Sequence, residues 1–394
     1  MQDDIVIVGA ARTPIGRLGG TLASLRAVDL GAAAIAGAVE RAGCDPTDVK
    51  HVVMGHVLQA GQGQITARQA AIAAGLGMAI PAETINKVCL SGMTAIARAR
   101  DLVALGHAEV VVAGGMESMS QAPYILDRAR FGYRFGHAEV RDSLLHDGLT
   151  CAIDRCSMGE ATEQYQRDHA LDISRGDQDE WSARSHARAA AARDSGAVDT
   201  EIVPVTTTGR QPATVTSDEG IRDDADAATL AGLRAAFVDD GTITAGNASQ
   251  ISDGAAAVVV TTRRFADQRG LDVLAVIDGW ATVAGPDPSL HFQPSAAITA
   301  AAGRLGVDPS GFDRYEINEA FASVAVASTR ALGIDPEVVN VRGGAIALGH
   351  PIGCSGARLV VTLVDELRQR GGGRGAAALC GGGGQGDAMI VTVG

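Results

Sequence analysis

Val110-Val111-Val112-Ala113-Gly114-Gly115 is the stretch on which the fold turns. A short apolar run with no polar alternation, rich in β-branched residues, reads as a strand covered on both faces. The closing glycines mark a tight strand end. Working outward, a helix-like segment from Leu90 to Leu105 precedes it, and strand-like Glu83 to Asn86 comes before that. Towards the N-terminus the order is Ile5 to Val8 (strand), Leu30 to Ala42 (helix), His51 to Val57 (strand) and Thr66 to Ala74 (helix). Such alternation predicts an α/β fold built on a parallel sheet with helices on its faces.

After about residue 118 the chain becomes more polar and irregular, and its clearest helix there is Ser174 to Arg193, with Ser174 as N-cap and Asp177 three residues on. Alternation resumes at Ala255 to Thr262. The expected division is an N-terminal α/β half from 1–118 plus 251–272, an inserted loop domain at 119–250, and a C-terminal α/β half at 273–394. The halves echo one another. Cys89-Leu90-Ser91-Gly92 and Gly353-Cys354-Ser355-Gly356 place Ser-Gly in register, each ahead of a helix and then a β-run ending in glycines.

With 394 residues the chain has room for a large core, yet aromatics are only 3% against 46% hydrophobic residues, so Ala, Val, Ile and Leu must build it. Fifty glycines, about 13% of the chain against a typical ~7%, cluster at strand ends. The charge balance, 33 − 46 = −13, argues against nucleic acid or an anionic membrane as partner, while leaving room for an anionic small molecule. No apolar run reaches the ~18 residues of a membrane span, and Met1-Gln2-Asp3-Asp4 lacks a basic leader. Six cysteines without a CxxC pair suit free thiols in a reducing cytoplasm, and nine histidines form no ligand-spaced metal cluster.

Four segments carry candidate chemistry. Cys89 stands between a strand and a helix, where unpaired N–H groups favour a thiolate and a lowered pKa; the bland alternative is a small buried hydrophobe. His350 lies between Gly349 and Pro351, a fixed loop that suits a base, or else a hydrogen-bonded loop histidine. Asn318 heads helix-like Glu319 to Leu332, where its amide either caps that helix or holds a water at a developing oxyanion. Cys380 ends the run Ala376 to Leu379 and is followed by glycine N–H groups. Gly381, Gly383 and Gly386 satisfy a dinucleotide fingerprint in letters only, because Asp387 to Val393 reads as a strand where that motif needs a helix.

Together these segments resemble the thiolase family: Asn86 to Gly92, Asn318 to Ala322, Gly343 to Gly356 and Cys380 to Gly386 match its four motifs in order, and Ala11 to Gly16 and Thr244 to Ser249 match shorter ones. The resemblance implies a duplicated α-β-α-β-α layered fold and a dimer or tetramer. It implies coenzyme A thioesters as substrates, with no permanently bound cofactor. Cys89 would become the acyl-enzyme, His350 would activate it, and Cys380 would exchange the α-proton. Asn318, through a water, and the Gly382 N–H would stabilise oxyanions. Ser249 and Arg222 would contact CoA, and Ser157, Met158 and Phe321 would line the substrate pocket.

Three positions depart from the family pattern: Ser157 where short-chain members often have histidine, Arg342 where asparagine is common, and Gln250 where glycine is common. The implied activity is acetyl transfer between two acetyl-CoA molecules. The alternatives are a broad 3-ketoacyl-CoA thiolase of fatty-acid β-oxidation and, in another class, a non-catalytic CoA or lipid carrier. A decarboxylating condensing enzyme would lack the late cysteine.

Overall fold

The computed structural model describes residues 3–209 and 211–394. A ten-stranded sheet runs through the molecule. Its long strands are β1 (Ile5–Arg12), β2 (His51–Gly55), β3 (Ala82–Ile85), β4 (Val110–Ser118), β5 (Ser252–Thr262), β6 (Ala275–Ala284), β7 (Arg314–Ile317), β8 (Gly373–Gly381) and β9 (Gln385–Val393). Their spatial order is β7-β8-β9-β6-β1-β5-β4-β2-β3, and the two-residue strand Gly16–Arg17 pairs with β5.

The sheet is mixed, which corrects the expectation of a parallel one. β2 is parallel to β3 and β4, and β7 to β8, but β5 runs antiparallel to both β1 and β4, and β9 antiparallel to both β6 and β8. The reason lies in the connections. Crossover helices join the parallel strands, whereas β8 returns directly into β9 through Gly382 to Gly384. Gly383 and Gly384 take φ of +81° and +70°, conformations that make this turn a glycine position.

The pattern β1-β5-β4-β2 is repeated by β6-β9-β8-β7 across the β1–β6 junction of Val6↔Val276 and Ile7↔Ala275, and β3 has no counterpart. The short β8–β9 turn corresponds to the much longer excursion between β4 and β5.

Alternating side chains of each strand face different layers. Val52, Met54, Val110, Val112, Ala255 and Ala257 pack against α1 (Ala27–Ala42) and α2 (Thr66–Ala73). Their neighbours Val53, Val111, Ala113, Ala256 and Val258 face the opposite way, sharing one core with Ala377, Leu379, Met389 and Val391 of the other half. Two helices fill that shared layer, α3 (Ser91–Ala104) and the last helix, Ser355–Gln369. Beyond β7–β9 lie the helices Gln293–Leu305 and Ala322–Leu332. Helix, sheet, helix pair, sheet and helix thus form five layers.

Between β4 and β5 lie α4 (Met158–Asp168) and α5 (Arg175–Asp194). α5 begins as predicted: Ser174 and Asp177 form a reciprocal capping box. Continuing in chain order, α6 is Gln293–Leu305, α7 is Ala322–Leu332, α8 is the single turn Ala345–Leu348, and α9 is Ser355–Gln369. The two Ser-Gly pairs explain how α3 and α9 meet. A Cβ on Gly92 would lie 2.9 Å from the Ala357 nitrogen, and one on Gly356 would lie 2.5 Å from the Met93 nitrogen. Any side chain there would force the helices apart.

Candidate active site

Cys89 sits on a tight turn between β3 and α3. Val88 before it has φ of +52°, a costly conformation for a β-branched residue, and the turn is pinned on several sides. Ser91 Oγ accepts the Lys87 N–H at 2.8 Å and donates to the Val88 carbonyl at 2.6 Å. Asn86 Oδ1 accepts the Val88 N–H at 3.1 Å. Lys87 Nζ reaches Asp387 Oδ1 on β9 at 2.7 Å, and Thr94 and Thr282 hydroxyls donate to the same carboxylate at 2.7 Å each. The Cys89 turn is therefore tied to the strand that follows the Cys380 turn.

The helix N-terminus does not lower the Cys89 thiol as the sequence suggested. Burial pushes it up to about 12, against the opposing pull of the nearby Cys89 and Gly382 N–H groups. Cys380 is buried at the end of β8 and is pushed up by burial and by its neighbour Cys89. Burial thus favours the protonated thiol at both positions, and Cys89 is near enough to act on Cys380.

His350 is buried and its pKa is lowered to about 3, chiefly by burial and then by the Arg358 guanidinium, so the ring is neutral. Its Nδ1 lies 2.6 Å from Ser355 Oγ, and that hydroxyl donates to the Pro351 carbonyl at 3.0 Å. With the serine proton committed, Nδ1 must carry the hydrogen, which leaves a lone pair on Nε2. Asn318 Nδ2 lies 3.5 Å from Nε2, a donor facing that lone pair.

Asn318 is not a helix cap. α7 starts at Ala322 with Phe321 as its N-cap residue, because the chain after β7 first crosses the site in extended form. Asn318 is fully buried, its N–H bonds the Ala378 carbonyl, and its Oδ1 has no protein partner.

A cleft of about 610 Å3 opens onto these groups, lined by His350, Phe321, Ser249, Arg222, Ser157 and Met158 among others. Cys89 packs beside Met119 and Ile352 of its wall, and Cys380 beside Phe321 and Met158. Six of the ten residues singled out from the sequence line this cleft, and Asn318 stands behind His350 at 3.5 Å. Ser157 has a structural duty as well: its hydroxyl caps α4 by accepting the Glu160 N–H at 3.2 Å. Arg342 lies away from the chemistry, bound to Asp365 at 2.6 Å and Glu366 at 2.9 Å on α9.

Several supporting residues were not read from the sequence. Glu319 is buried and accepts from Trp181 Nε1 (2.9 Å), Ser185 Oγ (2.7 Å), Asn340 Nδ2 (2.8 Å) and the Ile346 N–H (3.1 Å), fastening α5 and α8 to the Asn318 segment. Glu117 accepts the N–H groups of Val57, Leu58 and Gly353. The available signal was a single carboxylate at the end of an otherwise uncharged strand. Arg12 in the early motif is likewise structural, bound to Glu201 at 2.8 Å and Asp218 at 2.7 Å.

Known proteins resemble this chain in sequence and fold. The family model described as thiolase, N-terminal domain, matches residues 5–264, and that described as thiolase, C-terminal domain, matches 271–393. The chain belongs to the thiolase family of acyltransferases. It is 52% identical over 391 residues to a probable acetyl-CoA acetyltransferase of Mycobacterium tuberculosis, covering 99% of each chain. It is 46% identical to an acetyl-CoA acetyltransferase of Cupriavidus necator, covering 98% of this thiolase and 99% of that one. The crystal structure of the Bacillus anthracis acetyl-CoA acetyltransferase superposes with a TM-score of 0.96 at 41% identity, covering 99% of both. Among the described residues of this thiolase, no helix is long and apolar enough to cross a membrane.

Proposed function

We propose that this thiolase is an acetyl-CoA C-acetyltransferase that joins two acetyl-CoA molecules into acetoacetyl-CoA and CoA, reversibly, through an acetyl-Cys89 intermediate. The observation that carries the reading is the neutral His350 on the wall of the cleft, with Nδ1 held by Ser355 at 2.6 Å and Nε2 facing the Asn318 amide at 3.5 Å. The relatives' names support the acetyl preference.

A thiol held at about 12 does not ionise at neutral pH, so attack and proton transfer go together. Cys89 sulfur bonds the thioester carbonyl carbon as its proton passes to His350 Nε2. The tetrahedral oxyanion lies against the Cys89 and Gly382 N–H groups. The C–S bond to CoA then breaks, and the CoA thiolate takes the Cys380 proton.

That leaves a Cys380 thiolate, the base the second half-reaction needs. It removes an α-proton from the incoming acetyl-CoA, whose enolate oxygen is met by the His350 imidazolium and by a water on Asn318 Oδ1, an acceptor otherwise unpartnered. The carbanion attacks acetyl-Cys89, the Cys89 thiolate departs, and His350 returns its proton.

A broad-range 3-ketoacyl-CoA thiolase is the second reading, favoured by Ser157: a small side chain that caps α4 leaves room an imidazole would fill. Thiolysis of acetoacetyl-CoA and of a longer 3-ketoacyl-CoA, beside Cys89→Ala, separates the two. The acetyltransferase reading expects four-carbon activity that vanishes in the variant, with an acetyl adduct on Cys89 by mass spectrometry. Equal or faster cleavage of the longer chain transfers the assignment to the broad enzyme. CoA binding with no turnover leaves a carrier.

A further inference from the structure

Gln250 follows Ser249 on the loop that enters β5, and its two polar ends face different parts of the cleft. Its side-chain Nε2 lies 2.9 Å from the Gly220 carbonyl, 2.9 Å from that of Ile346 and 3.2 Å from that of Ala347. Its backbone carbonyl accepts the His350 N–H at 3.0 Å and the Ser252 hydroxyl at 2.8 Å. The last carbonyls of a helix lack intrahelical donors, and in α8 the Gln250 amide supplies them to Ile346 and Ala347. The same amide reaches across to Gly220, two residues before Arg222.

The fit on the Gly220 side is close: a Cβ there would lie 2.6 Å from the Ala347 oxygen and 3.0 Å from both Gln250 Nε2 and the Leu348 oxygen. Arg222 is further oriented by its N–H on His186 Nδ1 at 3.1 Å. Any residue could offer the carbonyl that holds His350. Only a side chain with two donors and this reach can bridge α8 and the Gly220 loop, which gives glutamine a role where a glycine would have none.

We propose that Gln250 is a positioning residue that fastens the Gly220–Arg222 loop, on the nucleotide side of the cleft, to the α8–His350 segment. Docking of the CoA nucleotide and placement of the catalytic base are then mechanically linked. The proposal rests on the thiolase reading for the ligand's identity, since Arg222 is taken to meet the nucleotide end of CoA. Pantetheine, which lacks the nucleotide, bypasses the loop.

The test compares CoA and pantetheine binding by calorimetry in the full-length protein, for wild type and Gln250→Glu. The carboxylate keeps the size and presents only acceptors to three carbonyls. About a tenfold loss of CoA affinity is expected, with pantetheine affinity unchanged within about twofold. In thiolysis, the KM for CoA should rise and kcat should fall about three- to tenfold as His350 loosens. Gly220→Ala, which wedges the loop from the other side, should reproduce the CoA-selective loss and guards against misfolding of the first variant. Equal losses for both ligands, or no loss in either variant, overturn the proposal. Wild-type protein that binds CoA without turnover defeats the thiolase reading but still tests the bridge; wild-type protein that does not bind CoA defeats both.

Discussion

Ser355→Ala removes the group that accepts the His350 Nδ1 hydrogen at 2.6 Å and donates to the Pro351 carbonyl. Both the serine and the histidine are buried, so water cannot simply replace the hydroxyl. An orphaned buried donor costs about 1–3 kcal/mol, and the lost bond to Pro351 adds about 1 kcal/mol. The ring can escape the first cost by moving its proton to Nε2, but that abolishes the lone pair to which the proposed mechanism passes the Cys89 proton. By either route the barrier rises by about 2–4 kcal/mol, or about 30- to 1,000-fold in rate. The assay is kcat/KM for acetoacetyl-CoA thiolysis from pH 6 to 9, alongside the thermal midpoint and the rate of Cys89 alkylation by iodoacetamide. The reasoning predicts slower turnover and slower alkylation together with a midpoint lowered by a few degrees, since the same orphaned donor weakens the folded state. A variant keeping more than about a third of the wild-type kcat/KM would show that Ser355 does not set the tautomer.

Three further outcomes follow from contacts described above. Asp387→Asn weakens the tie between the two cysteine turns, and should cost about 2 kcal/mol of stability and about tenfold in kcat/KM, read by denaturant unfolding and thiolysis. Gly92→Ala places a methyl against backbone at the α3–α9 contact and should destabilise by about 1–3 kcal/mol or more; an unchanged midpoint would mean the helices can part freely. His186, His291 and His350 are all held neutral mainly by burial, with pKa values lowered to about 4, 4 and 3. Below pH 6.5 the unfolded chain takes up protons that the native state refuses, so stability is full above pH 6.5 and lost as pH falls towards those values. Between pH 6.5 and 5 the slope should approach three protons, about 4 kcal/mol per pH unit; stability flat across that window would contradict the burial argument.

The fold class was legible because apolar runs such as Val110 to Ala113 and amphipathic segments such as Leu30 to Ala42 declare strand and helix locally. Strand direction was not: β5 and β9 carry the same kind of apolar run whichever way they pair, and only the connections decide. α4 was missed because its surface is polar and its one strong start signal, Ser157 ahead of Glu160, was read as a pocket position. The catalytic candidates were legible because their flanking glycines and prolines are costly anywhere else. Their supports were not, since the partners of His350, Glu319 and Glu117 are mostly distant in sequence, and nothing local marks Gln250 as the partner of Gly220 and Ile346. Of the two roles the sequence left open for Asn318, capping falls away because the amide faces His350, a residue 32 positions on.

The close meeting of α3 and α9 at Gly92 and Gly356 brings two helix origins together, one opening just after Cys89 and the other five residues after His350. Aligned peptide groups give each origin a partial positive charge. In the proposed mechanism the tetrahedral oxyanion at Cys89 would meet this backbone field, while the enolate relies on His350 and the water on Asn318. Such a field has no pKa, sheds no counter-ion and is little weakened by salt, because it acts across a buried gap. A field of that kind is compatible with the strongly acidic balance of −13 carried by the rest of the chain.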